Sequence, residues 1–161
     1  YSDDRRFLHK TIGFNYRMTN MQAAIGVAQL AKIDEFVEKK RYIARRYNAL
    51  LRGTPGLTLP VEEPWAKNVY WMYGLVVEND FGLSRDGLMA RLSGKGIETR
   101  PFFLPLNQQP AFHRLGLLLE ERCPVAEELG QKGLYLPCGL GIDDGQIEYV
   151  AQNVQDAFAG R

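Results

Sequence analysis

"TNMQAAIGVAQLAKIDEFVEKKRYIARRYNALLRGTPG", residues 19–56, decides how the rest of the chain is read. Thr19, followed three positions later by Gln22, fits a capping box in which each side chain satisfies the other's free backbone N–H. Met21, Ala24, Ile25, Ala28, Ile33, Phe36 and Val37 then recur near the helical period, while Lys32, Glu35, Lys39 and Lys40 fill much of the other face. The pattern continues through Ile43, Tyr47 and Leu51 until "GTPG" stops it. At 1.5 Å per residue such a helix is about 48 Å long. That overshoots a small domain, so it is expected to run along or between two bodies. Its first third, "MQAAIGVAQL", is rich in Ala and Gly and permits close backbone packing.

Upstream of this helix, residues 1–18 read as a loop, with Asn15, Tyr16 and Arg17 at the helix entrance. Two readings stand there. The groups cap and solvate a buried helix, or they are held at its entrance because they reach into a site.

Downstream, "NVYWMYGLVV" (68–77) is aromatic and β-branched and reads as a strand. Ser84 caps a short helix with Leu88, Met89 and Leu92 on its apolar face, and Gly94 and Gly96 end it. "IETRPFF" (97–103) reads as a second strand, ended where Pro105 interrupts pairing. Pro124 opens another helix, "LYLP" (134–137) is a short strand, and Asp143 caps a last helix striped by Ile147, Val150, Val154 and Phe158. Of the aromatic residues on the strands, Tyr70, Trp71, Tyr73, Phe102 and Phe103 read as core, since alternation buries every second one. The order implies an α+β layer: a mainly antiparallel sheet with helices on one face. The expected divisions are 1–18 as a loop, 19–52 as a linking helix and 53–161 as the small α+β domain.

The bulk properties narrow the function classes. The chain has 161 residues, 45% hydrophobic and 24% charged, which suits a globular protein with a real core. A net charge of +1 gives no bulk attraction for nucleic acid or an anionic membrane. Cys123 and Cys138 are the only cysteines and have no metal-ligand spacing, so a reducing, cytoplasmic setting is expected and no metal site is. No stretch approaches the roughly 20 apolar residues of a membrane span. The run "KKRYIARRYNALLR" (39–52) carries six basic residues with two tyrosines interleaved, but helical spacing scatters the charges. It reads as a solvated face before it reads as a nucleic-acid surface. The polar opening "YSDDRRFLHK" is unlike a secretory signal and lacks an initiator Met, so an upstream part is expected.

Three phrases, in order, carry a more specific identification: "GFNYRMTNMQAAIGVAQLAKID", "VYWMYGLVV" with "SRDGLMARLSGKGIETRPFFLPLNQQPAF", and "GLYLPCGLGIDDGQIEYVAQNV". Together they resemble the C-terminal part of the DegT/DnrJ/EryC1/StrS family of sugar-nucleotide aminotransferases, closest to the GDP-perosamine synthase branch. The resemblance covers nearly the whole chain. It implies the small domain of an aspartate-aminotransferase (fold type I) fold, the cofactor pyridoxal 5'-phosphate, and a homodimer with a shared site. The implied reaction moves an amino group from glutamate to a nucleotide-linked 4-keto-6-deoxysugar, for polysaccharide or glycoconjugate biosynthesis.

The resemblance also implies roles for single residues. Asn15 of "NYR" meets the cofactor phosphate of the neighbouring subunit, and Arg17 lies at the shared site, where it can pair with a carboxylate or phosphate. Arg100 approaches the nucleotide-sugar side, although it could equally pair with Glu98 or sit on an aromatic face. Asn107 stands where the family commonly has His, so a titrating contact there is replaced at most by an amide hydrogen bond to substrate. His113, six residues on, is not promoted in its place. The Schiff-base lysine is expected upstream, because none of Lys10, Lys32, Lys39, Lys40, Lys67, Lys95 and Lys132 lies in a matching phrase. No residue of this chain is therefore expected to be catalytic on its own. The alternative is a free-standing interaction or ligand-binding module derived from such an enzyme.

Overall fold

The computed structural model describes residues 13–158, which divide into two units between Ile33 and Asp34. The expectations for residues 1–12, Lys10 among them, lie outside the described residues.

In the first unit, Thr19 is the N-cap of α1 (Asn20–Leu30) and the capping box is complete. Gln22 N–H donates to Thr19 Oγ1 at 3.3 Å, and Thr19 N–H donates to Gln22 Oε1 at 2.9 Å. The expected single helix over 19–52 is two. At Lys32 the backbone N–H donates to Gln29, three residues back, at 3.1 Å, where a continuous helix would reach four back. Residues 31–32 form a turn, and α2 (Ile33–Leu51) begins after it.

The second unit holds a four-stranded antiparallel sheet of β1 (Leu57–Thr58), β2 (Tyr73–Val77), β3 (Arg100–Pro101) and β4 (Gly133–Leu136), in spatial order β1-β2-β4-β3. Between these strands lie α3 (Arg85–Ser93), α4 (Pro110–Arg114) and α5 (Pro124–Lys132), and α6 (Asp144–Ala157) closes the order. Strand alternation sends Tyr73, Leu75 and Val77 of β2, with Leu134 and Leu136 of β4, to one face. There they pack against Ile43, Ala44, Tyr47 and Leu51 of α2, Leu88 and Leu92 of α3, and Ile147, Val150, Ala151 and Val154 of α6. Each fully buried Leu or Ile contributes about 1.5–3 kcal/mol of hydrophobic transfer. The α+β architecture is the observed one, with α2, α3 and α6 packed on this face of the sheet.

The opposite face is built differently. Gly74 and Gly133 leave a trough in which the Phe102 ring lies, and that ring stacks on Tyr135 with centroids 4.5 Å apart. The strand expected over 97–103 shortens to Arg100–Pro101, with one further bond from Phe102 N–H to the Gly133 carbonyl at 2.9 Å. Pro101 has no N–H to extend the ladder. The strand expected over 68–77 starts only at Tyr73, because the backbone before it turns at Tyr70, whose φ is 45°. Among the aromatics, Tyr70 and Tyr73 are core and Phe102 is half-buried, whereas Trp71 and Phe103 are exposed. The caps at Ser84 and Asp143 and the opening of α5 by Pro124 stand as expected, and Asp143 also forms a capping box with Gln146. Strand β1 and helix α4 are additions to the expected order.

Candidate functional site

Asn15 and Arg17 are brought together by a local turn. The Asn15 Oδ1 accepts from the Arg17 backbone N–H at 3.1 Å and from Arg17 Nε at 3.2 Å. This is the way a short amide side chain braces a loop two residues on. The two bonds use the carbonyl end of Asn15 and leave its NH₂ as a donor. They also fix the inner edge of the guanidinium while its two terminal nitrogens bond to nothing among the described residues. Both side chains are exposed, and the Thr19 capping box follows at once. The loop therefore offers an amide donor and a cationic fork from a braced backbone.

In the second unit, Arg100 lines a cavity of about 340 Å³ together with Lys40, Met72, Glu98, Tyr135 and Cys138. Its Nη2 stands 3.9 Å from Glu98 Oε1, with the two side chains 72% and 86% exposed, so the alternative pairing with Glu98 exists only as a loose contact. Asn107 does not line that cavity. It is buried, and its Nδ2 donates to the Glu121 carbonyl at 3.1 Å and to Glu127 Oε1 at 2.6 Å. Glu127 Oε1 also accepts the Cys123 N–H at 2.9 Å. The Cys123 and Asn107 donors together hold the Glu127 carboxyl below its ordinary range. His113 Nε2 lies 2.7 Å from the Asn107 carbonyl. Asn107 and His113 thus tie the segment between β3 and α5 to itself.

The sequence reading placed Lys40 on the polar side of its helix. It stands instead on the buried stripe, in register with Ile43, Ala44, Tyr47 and Leu51. A lysine at position i of an i, i+3, i+4, i+7 apolar series was the available signal. The basic run of 39–52 is largely engaged. Arg41 Nη1 meets Glu62 at 2.9 Å, Arg46 Nη2 meets Glu148 at 2.6 Å, and Arg45 lies 4.0 Å from Glu38. Among the described residues no cluster of His, Cys, Asp and Glu is arranged to hold a metal, and no helix is long and apolar enough to cross a membrane.

Comparison with known proteins turns these positions into a family. A match to the DegT/DnrJ/EryC1/StrS aminotransferase family covers residues 1–155. The chain belongs to this family. The GDP-perosamine synthase of Vibrio cholerae is 34% identical over 154 residues, covering 96% of this chain and 41% of that protein. EpsN of Bacillus subtilis (strain 168), provisionally named a pyridoxal phosphate-dependent aminotransferase, is 36% identical over 141 residues, 87% of this chain and 36% of EpsN. Among solved structures, S. venezuelae DesV superposes with a TM-score of 0.82 at 29% identity, over 97% of this chain and 41% of DesV. The chain of this aminotransferase family thus spans about two fifths of the length of the relatives it matches.

Proposed function

We propose that this chain is the C-terminal portion of a pyridoxal phosphate-dependent aminotransferase that aminates a nucleotide-linked 4-keto-6-deoxysugar of the perosamine type, with glutamate as amino donor. The observation that carries the reading is the 34% identity to a GDP-perosamine synthase across 96% of the chain. On this reading the residues have the small domain of the fold type I architecture, and the protein acts as a homodimer whose sites are shared between subunits.

The geometry of the first unit fits a cofactor phosphate. With its carbonyl oxygen held by Arg17, Asn15 has only donors to offer, and an amide donor suits a phosphate oxygen of the cofactor in the neighbouring subunit. When bound, the cofactor supplies the electron sink through which the amino group is exchanged. Arg17 presents its free guanidinium edge to a carboxylate or phosphate of the substrates, and a planar fork is suited to two parallel hydrogen bonds. Arg100, loosely held at its cavity, serves the nucleotide-sugar side. Asn107 serves the substrate indirectly: with its NH₂ engaged inside the protein, it holds the loop of residues 102–123 in shape. The lysine that carries the cofactor is supplied by sequence upstream of this chain.

The test is to purify the natural product of the gene that contains this chain and assay amination of GDP-4-keto-6-deoxymannose by glutamate. The expected result is an aminated GDP-sugar. Asn15→Ala is expected to lower cofactor retention, seen as a loss of visible cofactor absorbance after dialysis. Failure to aminate any nucleotide-linked keto sugar, with cofactor bound, would remove the reading.

A further inference from the structure

A second cavity of the second unit opens between the turn after α3, the loop after β4 and the start of α6. Its volume is about 620 Å³, within the range of small-molecule sites. The floor is apolar: Ile97 and Val150 are buried, and Pro137 and Ile142 are half-buried. Neither Arg100 nor Asn107 lines it, and among the described residues no lysine or arginine does. Gly139 and Gly141 stand on its wall. Neither has a left-handed φ, and a Cβ built on either meets no atom within 4 Å. Backbone and packing thus give no reason for glycine at these places, whereas the approach of a ligand does.

The charges at the rim have one sign. Glu98 makes only its loose contact with Arg100, at 3.9 Å. Asp143 accepts the Gln146 N–H through Oδ1 at 2.8 Å, and its Oδ2 accepts nothing among the described residues. Asp144, one residue on, is by contrast engaged by Tyr42 and Arg46. Tyr149 is half exposed and its hydroxyl donates to the Lys95 carbonyl at 3.1 Å, which fixes an aromatic surface beside the carboxylates. The start of α6 alone would favour an anion, but Asp143 and Asp144 already bring negative charge to that end. Two carboxylates, an aromatic surface and an apolar floor together suit an organic cation.

We propose that this cavity binds an organic ammonium ion with a hydrocarbon body. The ammonium pairs with Glu98 and the free oxygen of Asp143 and meets the Tyr149 ring, while the hydrocarbon covers Ile97, Ile142 and Val150. Glutamate, which carries a net negative charge, is repelled by the same two carboxylates. The site is therefore opposite in chemistry to Arg17 and Arg100, which present positive charge, and it does not depend on the aminotransferase reading.

The experiment follows the backbone amide NMR spectrum of the 161-residue chain as hexylamine, hexanol and hexanoate are added in separate arms at fixed low salt. The three share one hydrocarbon body and differ in the charge of the head. Hexylamine is expected to shift the amides of Gly96, Gly139, Gly141 and Gly145 saturably, with hexanol about fivefold weaker and hexanoate weaker still. Glu98→Gln should weaken hexylamine about fivefold, the size of an exposed ion pair, and its side chain is exposed, so the fold is not at risk. Asp143→Asn removes the second charge yet keeps a residue that caps α6, and a similar loss is expected. Gly141→Leu should fill the cavity and abolish the shifts. Should that variant fail to fold, the two charge variants decide alone. Equal binding of hexanol, shifts confined to the exposed apolar residues of α1, or indifference to both charge variants would overturn the proposal.

Discussion

Gly133 shows how much one missing methyl group decides. A Cβ built there would collide with the Cγ and Cδ2 of Phe102, the near part of the ring, which cannot swing aside as a side-chain tip would. Phe102 is pinned in turn by its backbone bond to Gly133 and by stacking on Tyr135. Gly133→Ala is therefore expected to cost about 1–3 kcal/mol, the usual range for overpacking. The check is the shift of the urea unfolding midpoint, and Phe102→Ala in the same chain should recover part of the loss. An unchanged midpoint would mean that Phe102 does not occupy the trough. Residue-level features that depend on near neighbours were legible in the sequence: the Thr19–Gln22 pair, the Ser84 and Asp143 caps and the proline opening α5 all stand where spacing put them. Asn107 was not legible, because its partners Glu121 and Glu127 are 14 and 20 residues away and nothing local announces them.

At the scale of elements, the succession of β2, β3 and β4 along the chain was readable, but their lengths, β1 and the spatial order of the sheet were not. The segment before β2 looked like strand because Val69, Tyr70 and Trp71 have strand propensities. A polar clasp overrides them. Glu62 accepts from Arg41 Nη1 at 2.9 Å, from the Asn68 N–H at 3.3 Å and from the Tyr70 hydroxyl at 3.2 Å. Arg41 also donates to the Asn68 carbonyl at 2.6 Å, so α2 holds this segment away from the ladder. Chiefly through the Arg41 bond, the Glu62 carboxyl is held below its ordinary 4.5. Glu78, bonded to Lys132, is lowered in the same way. A carboxyl whose folded value is depressed stabilises the fold above its unfolded value and loses that contribution as pH falls through the folded one. Stability is thus expected to be level above about pH 5 and to decline through the range below about 4.5. Glu62→Gln should flatten part of that decline, since an amide does not titrate. Urea midpoints measured from about pH 7 down to about pH 3, for both chains, test this. An acid limb identical in the two would show that the clasp does not couple protonation to folding.

For the whole molecule, the decisive contrast is between the two parts of what looked like one long helix. In α2 the apolar stripe is buried: Ile43, Ala44, Tyr47 and Leu51 are each at most 1% exposed. In α1 no residue is buried, and Met21, Ile25, Val27 and Leu30 are 65–79% exposed. The α1 sequence is apolar nearly all round, the composition of a helix surrounded by other protein. Hydrophobic spacing said that the helix would pack, but spacing carries no information on whether the covering surface belongs to the same chain. Side chains of this size left in water make a patch that favours association. The 161-residue chain is therefore expected to self-associate, with a weight-average mass that rises across micromolar concentrations in sedimentation equilibrium. Met21→Glu with Ile25→Lys places opposite charges four residues apart on that surface, in the order that supports a helix. The doubly substituted chain should remain helical by circular dichroism while its mass falls toward the monomer. If the mass is monomeric before the substitutions, or does not respond to them, α1 is not the associating surface.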